Sequence, residues 1–395
     1  MASRKFQDSM PLAPLKIIAM DNCKGISKKV NDYITNRRKQ ALQEQDSPTL
    51  HTMGYDVDEY LIPVECSRYG TGEGRAYISQ SVRGVDLFII ADVVNYHVTY
   101  NLHGEPVAMT PDEHYMDLKR VIMACGGAPR RITVIMPYLY EGRQNVRVNN
   151  ESLDCAQVLQ ELTEMGVETI ITFDAHDSRV QNAVPNRGFD NFHTSYQFIK
   201  EILETNPDLK VDTDHMMVVS PDEGGMRRAV YYASLIGVNM GMFYKRYDYS
   251  QEINGKHPMV SIEFLGNDLT GKTVLIMDDM IATGKTMIDA AREVKARGAK
   301  QVIVGATFGI FSGGLSLIDQ AVADGFIDKI YTTNLIHCPD ELLAREYYYN
   351  VDLSAYIGLI IDTLNHDTSV NDILDATERI QELMIARKNK AGLPQ

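Results

Sequence analysis

The chain has 395 residues, of which 44% are hydrophobic and 23% charged, and its formal net charge is −14. That length exceeds the usual size of one hydrophobic core, so we expect two domains. The acidic balance argues against nucleic-acid binding, which needs a basic surface, but a local basic pocket or a bound cation can still hold an anionic substrate. The longest apolar runs, such as 85–94, are too short to cross a bilayer, so no membrane partner is expected.

The cysteines predict the compartment. Five of them are scattered along the chain without a CxxC pair, which is typical of reduced thiols and not of disulfides or a zinc site. The amino-terminal residues MASRKFQDSMPLAP lack the apolar stretch of a signal peptide. We therefore expect a cytoplasmic protein.

Short β-branched runs, each followed by a turn and an amphipathic stretch, recur along the chain. Such runs are typical of strands buried on both faces of a parallel sheet with helical crossovers, so we predict an α/β protein. Because the runs form two groups, before and after Phe192, we predict two tandem domains with doubly wound parallel sheets. The runs are LKIIAM (15–20), DLFIIAD (86–92), RITVIMPY (131–138), ETIITFDA (168–175), HMMVVSPD (215–222), KTVLIMDDM (272–280), KQVIVGATFG (300–309) and KIYTTNLI (329–336).

The remaining segments give the boundaries. The polar run before residue 50 fits an added helix or a mobile arm, and the stretch 95–117 has so little periodicity that we expect a long loop. The amphipathic tail 367–383 predicts a terminal helix. The predicted parts are an N-terminal extension (1–55), two α/β domains (56–192 and 193–365) and a C-terminal helix and tail (366–395).

The segment VLIMDDMIATGKT (274–286) predicts a phosphosugar site. A buried strand ends in Asp278 and Asp279, and a turn of small residues then starts a helix. Backbone N–H groups of such a turn, the helix dipole and the hydroxyls of Thr283 and Thr286 suit a phosphate. The two carboxylates can accept hydrogen bonds from sugar hydroxyls or hold a metal, which favours a phosphorylated sugar over bare phosphate.

Two other interpretations of this segment are weaker. A P-loop requires glycine at the position that Asp279 occupies. An ordinary strand-to-helix turn with capping residues does not account for two adjacent aspartates at the end of a buried strand.

The segment resembles the ribose-5-phosphate loop shared by phosphoribosyltransferases and ribose-phosphate diphosphokinases. The resemblance implies domains of phosphoribosyltransferase type. It also implies that ribose 5-phosphate is bound by Asp278, Asp279, Ala282, Thr283, Gly284, Lys285 and Thr286.

A second segment, VVSPDEGGMRR (218–228), separates these two families. Glycines let a backbone approach a diphosphate, and an aspartate can bind the accompanying magnesium. The segment resembles the SPDxGG loop of the diphosphokinases, which implies a diphosphate site made by Asp222, Glu223, Gly224 and Gly225.

Three further segments resemble the nucleotide-binding parts of the diphosphokinases. ITFDAHDSRVQ (171–181) matches DxHxxxxQ, which implies that His176 contacts the magnesium–ATP complex. The implied Mg²⁺ ligands are His176, Asp174 and Asp222. MPYLYEGRQNVR (136–147) and RYGTGEGRAYISQSVRG (68–84) imply ATP contacts from Arg143, Gln144, Tyr69, Thr71, Gly72 and Glu73.

The segment FYKRYDY (243–249) resembles the family's K-x-R pattern, whose cations stabilise the transferring group. Lys245 matches, whereas Tyr247 occupies the place of the second cation and Arg246 lies one residue early. The implied catalytic residues are Lys245 and Arg246, on a mobile loop. A solvated basic loop without a catalytic role is the alternative.

FGIFSGG (308–314) and TTNLIH (332–337) also follow the family, and the first predicts a strand–turn–helix corner near the sugar phosphate. The resemblance covers about residues 58–364. It implies an ATP-dependent enzyme that converts ribose 5-phosphate to phosphoribosyl diphosphate and works as a homo-oligomer, with dimers building a hexamer. Because Ala282, Lys285 and Tyr247 depart from the family pattern, a catalytically weak regulatory paralogue and, less favoured, a phosphoribosyltransferase stay open.

Overall fold

The computed structural model describes residues 9–44, 52–247, 250 and 259–390. The chain divides into two compact units, and after residue 333 it passes repeatedly from one unit to the other. The first contains Met1–His193, Asn334–His337 and Asp352–Leu374, and the second contains Thr194–Thr333, Cys338–Val351 and Asp375–Gln395.

The first unit is built on a parallel sheet. Its elements up to residue 193 are β1 (Leu15–Ala19), α1 (Lys24–Glu44), β2 (Leu61–Ile62), β3 (Val64–Arg68), β4 (Gly74–Ile78), β5 (Asp86–Ile90), β6 (Thr99–Leu102), β7 (Glu105–Ala108), α2 (Pro111–Ala124), β8 (Arg131–Ile135), α3 (Asp154–Glu164), β9 (Thr169–Phe173) and β10 (Gly188–Phe192). Six strands pair in parallel in the order β10-β9-β8-β5-β1-β2. β3–β4 and β6–β7 form two antiparallel hairpins. Every residue of β5 and β8 is buried, as expected for strands covered on both faces.

The second unit has a mixed sheet. Its elements are α4 (Ser195–Thr205), β11 (Met216–Ser220), α5 (Met226–Ile236), β12 (Asn239–Tyr247), β13 (Met259–Leu265), β14 (Thr273–Ile281), α6 (Lys285–Ala296), β15 (Gln301–Gly309), α7 (Ser316–Ala323), β16 (Lys329–Thr333), α8 (Asp340–Leu343) and β17 (Tyr348–Val351). The strand order is β13-β12-β11-β14-β15-β16-β17, and the described pairs are parallel except β12 with β13. The predicted α/β class with parallel sheets is confirmed, and all eight predicted runs are strands.

Three helices complete the chain: α9 (Ser354–Asn365), α10 (Asn371–Leu374) and α11 (Thr377–Lys390). The segment predicted as one terminal helix is therefore two helices, interrupted where Asp375 Oδ1 accepts a hydrogen bond from the N–H of Thr377. Among the described residues, none of the helices has the length and apolar character needed to span a membrane.

The predicted N-terminal extension is in fact part of the first unit. β1 lies inside the sheet between β2 and β5, and α1 packs with α9. Val30, Ile34 and Arg38 recur every four residues on α1 and are all buried, so one face of this polar helix covers the core. α9 belongs to the same unit, although the predicted boundary assigned it to the second domain.

The predicted loop 95–117 is also wrong, because the segment contains the β6–β7 hairpin and the start of α2. His103 and Gly104 both have positive φ, at 53° and 85°, as a two-residue hairpin turn with the right twist requires. Thr110 and Glu113 form a capping box with Pro111 at the first helical position.

Arg38 tests the attachment of α1. Its side chain is 1% exposed; Nε donates to Asp362 Oδ1 at 2.8 Å and Nη2 donates to Asn365 Oδ1 at 2.7 Å. Removing one partner of a buried ion pair leaves the other uncompensated. We therefore expect Arg38→Ala to lower the free energy of unfolding by about 3–5 kcal/mol in urea titrations.

The matched control is Arg37→Ala. Arg37 bonds the same carboxylate at 3.1 Å from a more exposed position. Its removal should lower the free energy of unfolding by about 1 kcal/mol or less. Equal losses for the two variants would contradict the buried attachment of α1.

Candidate functional site

In the second unit, two predicted loops meet at one edge of the sheet. β11 and β14 are parallel neighbours, paired from Met216↔Thr273 to Val219↔Ile276, so their carboxyl ends lie at the same edge. A Cβ placed on Gly225 would lie 3.8 Å from Asp278 Oδ1. The structure therefore brings together the predicted diphosphate residues and the acidic end of the predicted sugar-phosphate segment.

The loop after β11 has a defined shape. Ser220 Oγ donates to the carbonyl oxygen of Asp222 at 2.6 Å, and the Gly225 N–H donates to Asp222 Oδ1 at 3.2 Å. A Cβ on Gly225 would lie 2.8 Å from Ser220 Oγ, so only glycine fits there. Glu223 and Gly224 are exposed at the start of α5, where N–H groups and the helix dipole favour an anion.

The turn after β14 leads directly into α6. Gly284 has a φ of +84°, and a Cβ there would lie 2.7 Å from Ile318 Cδ1, so this position requires glycine. Thr283 and Lys285 are exposed and Thr286 is half-buried. The turn thus presents hydroxyls, a cation and the N-terminus of a 12-residue helix to solvent.

The predicted corner after β15 supports this turn. The N–H of Ser312 donates to Ala282 O at 2.9 Å and the N–H of Phe311 to Ile281 O at 3.1 Å. Gly313 lies against the backbone of Thr283. The sequence predicted the corner, whereas its hydrogen bonds to the phosphate turn appear only in the structure.

The two aspartates of β14 differ from ordinary surface acids. Asp279 is 6% exposed, and the N–H groups of Asp279 and Met280 donate to Asp278 Oδ1 and Asp279 Oδ1 at 2.8 and 2.9 Å. Burial and the adjacent Asp279 carboxylate raise the pKa of Asp278, and the charge of Arg228 opposes that rise. Hydroxyl donors or a cation would stabilise the charged pair. Arg228 lies within the segment 218–228, but the effect of its charge on Asp278 was not predicted.

Lys245 and Arg246 lie on a strand, not on the predicted loop. They precede Tyr247, the last residue of β12, and pair with Ile262 and Ser261 of β13; the register shifts between Arg246 and Tyr247. The apolar segment MVSIEFL, which forms the partner strand β13 (Met259–Leu265), was not predicted as a strand. β12 is parallel to β11 up to Ser220↔Met242, so its last residues continue beyond the edge where the Asp222 loop lies. Residues 248–249 and 251–258 are outside the described part.

In the first unit, four predicted ATP contacts share the turn between β3 and β4. The N–H of Tyr69 donates to Glu73 O, and the N–H of Gly72 donates to Tyr69 O, both at 2.8 Å. Thr71 Oγ1 donates to Glu73 Oε2 at 2.8 Å, and the Tyr69 ring is 54% exposed. An exposed ring on an ordered turn is suited to stacking on a base.

Arg143 and Gln144 lie in the loop between β8 and α3. Gln144 Nε2 donates to Ser152 O at 2.8 Å, and Gln144 O accepts from the N–H of Cys155, so this residue holds the loop together. Arg143 is exposed, and its side chain has no hydrogen bond or ion pair to any residue in the described part of the chain. Arg143 is therefore available to an anion.

Asp174 and His176 share the turn after β9, which β10 holds in place. Asp174 is 8% exposed with a φ of +41°, and its N–H donates to Phe192 O at 2.9 Å. His193 Nδ1 donates to Asp174 Oδ1, and the N–H of Ala175 to Asn191 Oδ1, both at 2.9 Å. His176 is exposed. The contact of His193 was not predicted, because it depends on the pairing of two strands.

The predicted metal ligands do not form one cluster within a unit. Asp174 and His176 belong to the first unit and Asp222 to the second. No group of three His, Cys, Asp or Glu able to hold a metal ion occurs within residues 9–44, 52–247, 250 and 259–390. Mg²⁺ commonly binds through one or two carboxylates together with water and substrate phosphates.

Comparisons with known proteins agree over both units. A family model described as the N-terminal domain of ribose phosphate pyrophosphokinase matches residues 15–166, and a phosphoribosyl transferase domain model matches residues 184–319. A ribose-phosphate pyrophosphokinase of Haemophilus ducreyi is 29% identical over 315 residues, covering 78% of this chain and 90% of that protein. Ribose-phosphate pyrophosphokinase 1 of Candida albicans is 29% identical, with 79% and 88% covered.

A solved structure agrees in fold. The crystal structure of phosphoribosylpyrophosphate synthetase from Mycobacterium smegmatis matches with a TM-score of 0.68 and 21% sequence identity, covering 89% of this chain and 99% of that one. Pyrophosphokinase and diphosphokinase are two names for the same activity. With both family models matched in order, the chain belongs to the ribose-phosphate pyrophosphokinase family.

Proposed function

We propose that this enzyme transfers the β,γ-diphosphoryl group of ATP to the C1 hydroxyl of ribose 5-phosphate. The C1 oxygen bonds to the β-phosphorus, the bond from that phosphorus to the oxygen bridging to the α-phosphate breaks, and AMP leaves with that oxygen. The products are 5-phosphoribosyl 1-diphosphate, AMP and the hydroxyl proton. The observation that carries the proposal is the shared edge where the Asp222–Gly225 loop meets Asp278.

Ribose 5-phosphate is assigned to the turn after β14. The N–H groups at the start of α6, the hydroxyls of Thr283 and Thr286 and the Lys285 ammonium would hold the phosphate. Asp278 and Asp279 would accept hydrogen bonds from the ribose hydroxyls, because deprotonated carboxylates only accept. Ala282 and Gly284 keep the turn small.

The diphosphate is assigned to the Asp222–Gly225 loop and ATP to the first unit. Glu223 and Gly224 present exposed backbone to the phosphates. The Tyr69–Glu73 turn would hold the base of an ATP bound to a neighbouring subunit, and Arg143 and Gln144 would bind ATP from the loop between β8 and α3. Asp174, His176 and Asp222 are the residues that would hold Mg²⁺, which neutralises phosphate charge when bound.

Lys245 is assigned the stabilisation of charge in the transition state, with Arg246 beside it in sequence. Phosphoryl transfer asks little covalent chemistry of a protein, so positioning and charge neutralisation account for most of the rate. The location of both residues on β12 supports this role.

The two alternatives left open by the sequence are not favoured. The pyrophosphokinase N-terminal model matches residues 15–166, a region that a phosphoribosyltransferase would not need. A regulatory paralogue was considered because of Ala282, Lys285 and Tyr247. Lys285 is exposed at the start of α6, where a cation suits a phosphate.

The cellular setting is part of the proposal. The five cysteines are Cys23, Cys66, Cys125, Cys155 and Cys338, and all are free of disulfides, which fits a reducing cytoplasm. We also propose a homo-oligomer, with dimers building a hexamer, for which light scattering on the purified protein is the direct measurement.

The activity is tested by AMP release from purified protein with magnesium and ATP. We expect AMP only when ribose 5-phosphate is present. Loss of a preorganised cation should lower kcat by about 10³-fold in Lys245→Ala. Lys210→Ala, at an exposed lysine elsewhere in the second unit, should match the wild type. AMP release without the sugar phosphate would contradict the proposal.

We expect the charged Asp278 side chain to lower the free energy of unfolding of the protein. Its pKa is raised in the fold, so its charged form is disfavoured there. The resulting loss of stability sets in as pH rises above the ordinary carboxyl pKa of about 4 and is absent below it. At pH 8 the free energy of unfolding of Asp278→Asn should therefore be at least about 1 kcal/mol higher than that of the wild type. Its turnover with ribose 5-phosphate should fall.

The control for Asp278→Asn is the exposed Asp208→Asn. Urea unfolding at pH 8 and pH 4 should show a gain only for the Asp278 variant and only at pH 8. An equal gain at both pH values would show that Asp278 is not held in a setting that disfavours its charge.

A further inference from the structure

Two hairpins of the first unit lie against each other. Gly72, in the β3–β4 turn, has a φ of +89°, and a Cβ there would lie 3.6 Å from Leu102 Cδ1 at the end of β6. The turn that carries the proposed ATP contacts therefore rests on the β6–β7 hairpin. That hairpin falls in the stretch 95–117, which was predicted to be a long loop.

Arg68 links the two hairpins. It is the last residue of β3, next to Tyr69, and its side chain is 7% exposed. Its Nη1 and Nη2 donate to Asp117 Oδ1 and Oδ2 at 2.9 and 2.8 Å, and its guanidinium lies over the Tyr100 ring, 5.2 Å from the centroid. A planar guanidinium held at its edge by a carboxylate and on its face by a ring has little freedom.

Tyr100 is itself fixed from α2. Its hydroxyl donates to Glu113 Oε1 at 2.6 Å, while Glu113 Oε2 accepts from the N–H of Thr110 at 2.9 Å in the capping box. Asp117 lies one turn further along the same helix. Both partners of Arg68 are thus held by α2: Asp117 lies on this helix, and Tyr100 is hydrogen-bonded to its residue Glu113.

A cavity lies next to the contacts of Arg68. Its volume is about 270 Å³, and its lining includes Arg68, Tyr100, Asn101, Asn22 and His114. The directed contacts of Arg68 with Asp117 and Tyr100 therefore lie at the wall of this cavity, whereas Cys66 and Ala76 of the β3–β4 hairpin pack against the hydrophobic core.

We infer that Arg68 and Tyr100 are positioning residues for ATP: the β6–β7 hairpin, through them, fixes the Tyr69–Glu73 turn in the geometry that receives the nucleotide. The inference rests on the proposed function, in which that turn binds ATP. A turn ordered before binding loses less conformational entropy when the ligand arrives. Loosening it should weaken ATP binding while the chemical step and the sugar site keep their properties.

The test compares Tyr100→Leu with Tyr100→Phe. Leucine removes the ring beneath the guanidinium, and we expect the KM and Kd for magnesium–ATP to rise about fivefold. Phenylalanine keeps the ring but loses the hydroxyl bond to Glu113, so its values should rise clearly less than those of the leucine variant. The kcat at saturating ATP and the KM for ribose 5-phosphate should not change. Glu105→Ala, at an exposed position of the same hairpin, is the matched control and should behave as wild type.

A double-mutant cycle tests whether Tyr100 acts through Arg68. In an Arg68→Ala background, Tyr100→Leu should add nothing to the loss of ATP affinity, since the linked contact is already gone. Additive losses, equal rises in both KM values or no change in Tyr100→Leu would overturn the inference. Should Arg68→Ala fail to fold, the leucine and phenylalanine variants still decide it.

Measuring the Kd for ATP by calorimetry separates this inference from the proposed function. A wild type that binds ATP but releases no AMP would reject the proposed reaction and leave the affinity comparison intact. A wild type that makes AMP, with variants of unchanged Kd, would reject the positioning role alone. A wild type that binds no ATP would reject both.

Discussion

The proposed site depends on one constraint of parallel sheets: neighbouring strands end at the same edge. In the second unit this places the Asp222–Gly225 loop beside Asp278 and Asp279, although more than fifty residues separate them in sequence. In the first unit, β8 and β9 are likewise parallel neighbours, so the loops carrying Gln144 and His176 follow strand ends at one edge. Chemistry that needs several loops together is thus supplied by strand order.

Charge has opposite effects on binding and stability. The chain is acidic overall, and Asp278 and Asp279 lie where a sugar or a cation is proposed to bind. The pKa of Asp278 is raised because its charge is poorly solvated in the fold and lies next to the Asp279 carboxylate. Hydroxyl donors or magnesium would offset that cost only when ligand is present. An acid pair that lowers stability is therefore expected at a site whose occupant is polar or cationic.

Much of the fold was predictable because its signals are local. All eight β-branched runs became strands, and motifs such as SPDEGG and DDMIATGKT lie on the predicted strand ends. Local chemistry also encoded the β6–β7 hairpin and the α2 cap, through His103–Gly104 and Thr110–Glu113, but the short strands hid it. In this segment the turn and capping residues indicate a hairpin and a helix start, although the hydrophobic periodicity is weak.

The other errors have a different cause: the partner is distant in sequence. α1 was predicted to be an added helix or arm. Its polar sequence does not indicate that Arg38 contacts Asp362, more than three hundred residues away. Lys245 and Arg246 seemed to lie on a loop because their strand is completed by β13. The contact of His193 with Asp174 likewise follows from pairing of β9 with β10. Pairing of this kind is set by the whole fold.

The central claim is that the sugar hydroxyl attacks the β-phosphorus, and the fate of labelled phosphate tests it directly. ATP carrying ³²P at the β-position should transfer all of its label to the sugar product, with unlabelled AMP released in equal amount. Label retained in ADP would mean attack at the γ-phosphorus, and label released as free diphosphate would mean hydrolysis. Either result would contradict the account.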